Sequence, residues 1–323
     1  MSAQPEHAPL IDPATLPERF RDGHVVVGNF DGVHRGHAAV IAQAAENARA
    51  ARRPVVALTF EPHPRTFFQP DRPLFRLTDA REKARILARA GADATVVLTF
   101  DERLSQIEAE DFVADVLARR LGAHTVVVGW DFHFGRGRLG SPAFLAEAGP
   151  RHGMFVEVVP PHGGATPVSS SAIRDLLAAG DLVAANRLLG RRWTVETEVV
   201  HGDKRGRELG FPTANLILPP ETRLAHGIYA VRALVDGAVV NGVASFGSRP
   251  QFDDGAPRLE VFLLDFAGDL YGKRLRVELV AWQRAEAKFE SVEALVAQME
   301  RDKAEARRLL ALPEDPLAPS ALV

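Results

Sequence analysis

Apolar positions in the first half of the chain come in short, unbroken runs. His24 to Phe30, Pro54 to Phe60, Thr95 to Phe100 and Thr125 to Gly129 are rich in valine and lack polar alternation, which predicts strands buried on both faces. Between them lie segments of helical period. His37 to Ala51 is alanine-rich, Asp79 to Ala90 sets apolar residues at helical spacing against Arg and Lys, and Ala109 to Leu121 repeats that pattern. Strand, helix, strand in this order predicts a parallel sheet with right-handed crossovers.

The texture then changes. Gly163-Gly164 and Pro167 mark a break, and Ser169-Ser170-Ser171 is placed to cap a helix over Ala172 to Ala179, followed by another over Asp181 to Leu189. From Arg191 onward the apolar residues recur at period two. Trp193 to Val200, Ile228 to Val235, Ala238 to Ser245, Leu259 to Phe266 and Leu275 to Trp282 read as strands of an antiparallel barrel or sandwich. Asp236-Gly237 joins two of them as a two-residue hairpin turn. A charged amphipathic helix, Ser291 to Leu310, closes the pattern. The expected division is a domain over 1–188 and a second over 189–323, consistent with a length of 323 residues.

Composition narrows the function classes. The chain is 46% hydrophobic and 25% charged with a formal net charge of −3, so it lacks the basic excess of a nucleic-acid binder. It contains no cysteine, which removes disulfides, thiolate catalysis and cysteine-ligated metals. Met1 to Phe20 is polar and proline-rich without an apolar signal segment, and no stretch is apolar for long enough to span a membrane. The expectation is a cytoplasmic protein with no nucleic-acid or membrane partner, a monomer or weak homo-oligomer.

Two stretches carry chemistry. After the first strand comes Gly28-Asn29-Phe30-Asp31-Gly32-Val33-His34-Arg35-Gly36-His37. A strand that ends in a glycine-rich turn and opens a helix delivers backbone amides and a positive helix end to one point, which suits phosphate. His34 and His37 stand at that point, ready to donate to phosphate oxygens; a zinc pair or ordinary helix-start histidines are the alternatives. In the second half, Gly202-Asp203-Lys204-Arg205-Gly206-Arg207-Glu208-Leu209-Gly210 runs into Phe211-Pro212-Thr213-Ala214-Asn215. Glycines and cations make a plausible phosphate cradle, with the Thr213 hydroxyl and Asn215 amide oxygen as hard ligands for magnesium; a turn with an Asx cap is the alternative. The pattern Gly135-Arg136-Gly137-Arg138-Leu139-Gly140 satisfies a dinucleotide spacing, but no strand runs into its first glycine. Arg136 and Arg138 clamp a polyphosphate or simply lie in a solvated loop.

The first decapeptide resembles the signature of the nucleotidyltransferase superfamily. In its full length it is similar to that of bacterial bifunctional riboflavin kinase/FAD synthetases. The resemblance continues through Phe60-Glu61-Pro62-His63-Pro64, Val128 to Gly135 and Ser169 to Arg174. In the second half it continues through the glycine-rich loop and Pro212-Thr213-Ala214-Asn215, Gly242 to Pro250, Leu259 to Phe266, Gly268 to Gly272, and Arg284, Glu286, Lys288 and Phe289. Departures fall at Ser141, Ala172, Ser245, Phe246, Gln251 and Phe262.

The resemblance implies a Rossmann-like α/β FMN adenylyltransferase domain of nucleotidyltransferase type. It also implies a riboflavin kinase domain built as a six-stranded antiparallel β-barrel with a terminal helix. Asn29, His34 and His37 would act on the ATP phosphates, supported by Gly28, Gly36, Ser170, Ser171 and Arg174, with His63 and Asp131 at the flavin. In the kinase, Gly202, Lys204, Gly206, Arg207, Gly210 and Pro212 would bind nucleotide, Thr213 and Asn215 would hold Mg2+, and Arg284 would meet the flavin. Glu260 would be the general base toward the ribityl hydroxyl. Read without the resemblance, Glu260 is as well explained as a solvent-facing strand residue. Phe246, Phe252 and Trp282 stack the flavin ring or serve as core. Riboflavin, FMN and ATP are the expected ligands. A protein with only one active half, a flavin carrier without turnover and an RNA-binding barrel are the rival readings.

Overall fold

The computed structural model describes residues 9–161, 168–202, 206, 209–248 and 257–322. The chain forms two compact units. One comprises Met1–Leu74 with Thr78–Ser169, the other Phe75–Leu77 with Ser170–Val323.

The first unit is built on a six-stranded sheet in the order β1-β4-β3-β2-β5-β6, all neighbours parallel. Its strands are β1 (Leu10–Ile11), β2 (His24–Val27), β3 (Val55–Glu61), β4 (Ala94–Thr99), β5 (Thr125–Gly129) and β6 (Phe155–Val159). The helices are α1 (Arg35–Ala51), α2 (Pro64–Phe68), α3 (Ala80–Ala90), α4 (Glu102–Ser105), α5 (Ala109–Asp111) and α6 (Pro142–Arg151). Alternation along the strands explains the valine runs. Val25, Val27, Val56 and Leu58 enter one core with Phe112, Val116 and Leu145, while Val26, Val55 and Ala57 enter another with Ile41, Ala44, Ile86 and Leu87. Neither face meets water, so neither needs polar positions.

Three predicted elements differ in detail. The first strand stops at Val27 instead of Phe30, because the chain turns at Gly28 and Phe30 takes a φ of 48°. The segment predicted as one helix over Ala109 to Leu121 is α5 followed by a π-helical run, Phe112–Arg120. The glycine pattern at Gly135 to Gly140 is a short 3₁₀ turn, Arg136–Arg138, closed by a bridge between Phe134 and Gly140. Arg136 there pairs with Glu108.

The second unit holds α7 (Ser170–Ala179) and α8 (Leu182–Leu189), then β7 (Trp193–Val200), β8 (Ala214–Ile217), β9 (Gly227–Val235), β10 (Ala238–Ser248), β11 (Pro257–Leu263), β12 (Arg274–Arg284) and α9 (Val292–Leu310). Of the two β architectures the pattern allowed, the barrel is the one formed. It closes in the order β10-β11-β8-β7-β12-β9, every pair antiparallel. Leu216, Tyr229, Val231, Phe246, Leu259, Val261, Val277 and Leu279 are completely buried. Helix α9 packs Ala306 and Leu310 against Ala230, with Val243, Val280 and Ala281 alongside. Glu278 is fully buried yet satisfied: Arg192 donates from Nη1 at 2.8 Å, Ser320 from its hydroxyl at 2.8 Å and Ala321 from its amide at 3.0 Å.

Two candidate active sites

In the first unit, strand order reverses at β2: β3 and β4 follow on one side of it, and β5 and β6 on the other, all parallel. The crevice outside the carboxyl ends at such a point is where open α/β sheets bind ligands. The glycine-rich turn leaves β2 here. Phe30 and Val33 are buried with φ of 48° and 38°, a conformation that costs bulky residues on the order of 1–3 kcal/mol and persists only where surroundings enforce it. The surroundings do so. Thr78 donates its amide to Asp31 at 3.4 Å and accepts from the Gly32 amide on its hydroxyl at 3.1 Å. A side chain at Gly28 would bring its Cβ to 2.8 Å from the Phe30 ring, so glycine is required there.

His34 caps α1, its Nδ1 accepting from the His37 amide at 3.4 Å. A neutral ring that accepts on Nδ1 carries its proton on Nε2 and can donate from there. The two imidazoles stack with centroids 3.7 Å apart and planes within 16°, and Phe30 abuts His37 edge-on. Gly36 leaves room for this arrangement, since a Cβ there would lie 3.2 Å from the His34 ring. Asn29 is exposed at the end of β2, its carbonyl accepting from Thr59 at 3.0 Å. His63 caps α2 through its Nδ1, and Asp131 is exposed just past β5.

Two features of this region escaped the sequence reading. Lys83, 1% exposed, donates to Thr59 at 3.2 Å and to Glu61 at 2.9 Å, building a polar layer beneath Asn29. Phe67, Phe68 and Phe100 form a mutual edge-on cluster with centroids 5.2 to 5.7 Å apart, and Phe68 is 61% exposed. An exposed ring at the carboxyl rim offers a surface for a flat ligand. Ser170 and Ser171 open α7 in the second unit, where Arg174 donates from Nε to the Phe75 carbonyl at 2.6 Å.

The second unit encloses a cavity of about 650 Å³, within the usual range for small-molecule sites. Gly202, Gly206, Pro212, Thr213, Asn215 and Glu260 all line it. The sequence had separated these residues between a loop and a strand; barrel closure unites them. Ala214 and Asn215 belong to strand β8, which no pattern had predicted, because the run from Ala214 to Ile217 is short and adjoins the glycine-rich loop. Gly202 packs on Asn215 so closely that a Cβ would come to 2.5 Å from its Nδ2. Lys204 and Arg207 lie outside the described residues, as do Gln251 and Phe252.

Register explains the geometry. Cross-strand pairing links Val200 to Asn215, Asn215 to Glu260, Glu260 to Ser245, Ser245 to Ile228 and Ile228 to Arg284. Directly opposed residues share a face, so these six positions form one row around the barrel. Leu259 and Val261 on either side of Glu260 are fully buried in the interior, which turns the Glu260 carboxylate outward. Arg258 donates to the Asn215 amide oxygen at 3.3 Å. Arg284, at the far end of the row, is held in a fork by Asp302 of α9, with contacts of 2.8 and 2.6 Å. Phe246 lies in the interior at 0% exposure and so cannot stack a ligand. Trp282 is 38% exposed and donates to the His226 carbonyl at 3.4 Å.

Comparison with known proteins agrees with both halves. A family model described as FAD synthetase matches residues 16–172, and one described as riboflavin kinase matches residues 189–310. The bifunctional riboflavin kinase/FMN adenylyltransferase of Escherichia coli strain K12 is 40% identical over 92% of this chain and 96% of its own. That of Pseudomonas fluorescens is 43% identical over 88% and 92%. A crystal structure described as a macrolide-efflux protein from Streptococcus pneumoniae is 31% identical, with a TM-score of 0.82 over 92% of this chain and 98% of that one. Among the described residues no helix is long and apolar enough to cross a membrane. The chain belongs to the bifunctional riboflavin kinase/FMN adenylyltransferase family.

Proposed function

We propose that the chain performs two successive transfers from ATP. In the barrel, the ribityl 5′-oxygen of riboflavin attacks the γ-phosphorus, the bond to the β–γ bridging oxygen breaks, ADP leaves, and Glu260 takes the hydroxyl proton. In the parallel-sheet unit, a phosphate oxygen of FMN attacks the α-phosphorus of a second ATP and pyrophosphate departs. Both reactions depend on positioning and charge neutralisation more than on covalent catalysis.

The observation that carries the kinase reading is the place of Glu260 in its row. Asn215 and the cavity lie to one side, while Ser245, Ile228 and Arg284 lie to the other. A base so placed has room for nucleotide on the β8 side and for flavin on the β9 and β12 side, as in-line attack requires.

Thr213 and Asn215 bring two neutral oxygen donors to the same cavity as the Glu260 carboxylate. No group of three or more His, Asp or Glu among the described residues forms a metal cage. Hard oxygen ligands in small number suit Mg2+ that arrives with ATP and retains water. Thr213 and Asn215 would hold the ion, whose contribution is to neutralise phosphate charge. In the first unit, His34 and His37 donate to the phosphates at the N-terminus of α1, and His63, Asp131 and the exposed Phe68 face the flavin. We assign the adenylyl transfer to residues 1–188, including Ser170, Ser171 and Arg174 as nucleotide ligands, and the kinase to residues 189–323. The cytoplasm is the compartment that fits.

Purified protein incubated with riboflavin, ATP and magnesium should yield FMN first and FAD later, separable by chromatography. Glu260→Gln should abolish FMN formation and spare FAD formation from supplied FMN, and His37→Gln should do the reverse. Loss of both reactions in either folded variant would defeat the division.

A further inference from the structure

We infer that the Thr59 hydroxyl, backed by Lys83, is a positioning group for adenylyl transfer: it fixes the Asn29 peptide and with it the side chain that Asn29 offers to ATP. The inference rests on the adenylyl-transfer reading of the parallel-sheet unit and deepens it. Thr59 and Lys83 touch no substrate in that reading. They act through Asn29.

Main-chain pairing of β2 with β3 runs to Val27 opposite Leu58, and the Gly28 amide still donates to the Leu58 carbonyl at 3.0 Å. One residue further a side chain takes over, as Thr59 donates from its hydroxyl to the Asn29 carbonyl at 3.0 Å. Thr59 is 1% exposed, which limits competition from water. Lys83 sets the direction of this bond: its Nζ lies 3.2 Å from the Thr59 hydroxyl oxygen and 2.9 Å from Glu61 Oε1. An ammonium only donates, so the Thr59 oxygen accepts from it and the single hydroxyl proton goes to Asn29. A hydroxyl that accepts from a cation is the stronger donor for it. Strand β3, helix α3 and the turn after β2 thus meet in one chain of bonds with a fixed direction.

The turn needs such a tie. The plane of the Asn29–Phe30 peptide sets the φ of Phe30, which is 48°, a conformation that a phenylalanine keeps only under constraint. Thr78 constrains the far side of the turn, at Asp31 and Gly32. Thr59 constrains the near side. Releasing the Asn29 carbonyl lets that peptide rotate, and rotation re-aims the exposed Asn29 side chain in the turn that leads to His34 and His37.

The test uses the full chain and reads FAD formation from supplied FMN and ATP, at a temperature below the melting transition of each variant. Thr59→Val keeps the shape of the side chain and removes the hydroxyl. It should lower kcat about 10- to 100-fold, the effect of a misplaced group, with the KM values for ATP and FMN within about threefold. Thr59→Ser keeps the hydroxyl and gives up the methyl group, and should return kcat to within about threefold of wild type. Lys83→Met should show a smaller loss of kcat, and FMN formation from riboflavin should stay at the wild-type rate throughout. An unchanged kcat in Thr59→Val, a loss confined to KM, or a kcat in Thr59→Ser as low as in Thr59→Val would each overturn the inference while leaving the adenylyl-transfer reading intact. If Thr59→Val does not fold, Lys83→Met decides: a reduced kcat supports the inference and a wild-type kcat overturns it. A wild-type chain that forms no FAD would overturn the adenylyl-transfer reading and the inference with it.

Discussion

Lys83 and Glu61 form an ion pair of 2.9 Å in which the lysine side chain is 1% exposed and the glutamate 18%. Lys83 also donates to Thr59, which in turn donates to the Asn29 carbonyl. Removing the ammonium withdraws charge-assisted contacts from both Glu61 and Thr59, at a cost of about 1.5–3 kcal/mol. Lys83→Met should therefore lower stability by about that much in equilibrium urea denaturation, and the double variant Lys83→Met, Glu61→Leu should recover most of the loss. Equal destabilisation in the single and double variants would show that the pair contributes nothing beyond its packing.

Gly202 offers a more local probe. A methyl group there would press on the Asn215 amide at 2.5 Å, and crowding of this kind costs about 1–3 kcal/mol when neighbours cannot relax. Gly202→Ala should slow FMN formation at least tenfold through displacement of Asn215, with FAD formation from supplied FMN retained. Normal FMN kinetics in the variant would mean that the Asn215 side chain has no fixed role.

The fork between Arg284 and Asp302 links β12 to α9. Asp302→Asn keeps the shape of the side chain but gives up one charge-assisted contact, a loss of about 1.5–3 kcal/mol. If Arg284 guides the flavin, the KM for riboflavin should rise several-fold while that for ATP stays level. A fall in thermal stability with both KM values unchanged would reduce the fork to a structural tie.

His24 begins β2, buried and stacked 6.2 Å from His124. Burial first, and the neighbouring His124 second, hold its pKa below the ordinary 6.5. The folded protein therefore resists protonating His24 while the unfolded chain does not. That contribution to stability is complete above pH 6.5 and is lost as pH falls from there through the lower folded value. The melting temperature should drop on acidification below about 6.5, and His24→Leu should flatten that slope. An identical slope in the variant would place the acid sensitivity elsewhere.

Much of this molecule can be read from residue order, for reasons that differ by region. The parallel sheet was legible because burial on both faces leaves no polar residue in Val25 to Val27 or Val126 to Val128. The glycine-rich turn was legible because local backbone demands fall on consecutive residues. What escaped was long-range or short. Strand β1 has only two residues, too few for any period to register. In β6, an edge strand paired with β5, Phe155 and Val158 remain exposed, so its pattern is neither continuous nor alternating. Lys83 reads from sequence as a solvated residue on the polar face of a helix, and only the fold brings Glu61 and Thr59 to it. The cavity was half visible: Thr213, Asn215 and Glu260 were singled out separately, and only barrel closure sets them around one space.

Closure of the barrel has a consequence for how the kinase half tolerates sequence change. Because opposed residues alternate strictly between faces, losing or gaining a single residue within β11 ahead of position 260 would swing the carboxylate into the greasy lumen and expel Leu259 or Val261. With β8 and β10 paired on either side, the strand has no free edge along which to slip back. Variation in this segment should therefore be confined to substitutions, with length changes diverted to the turns that join the strands.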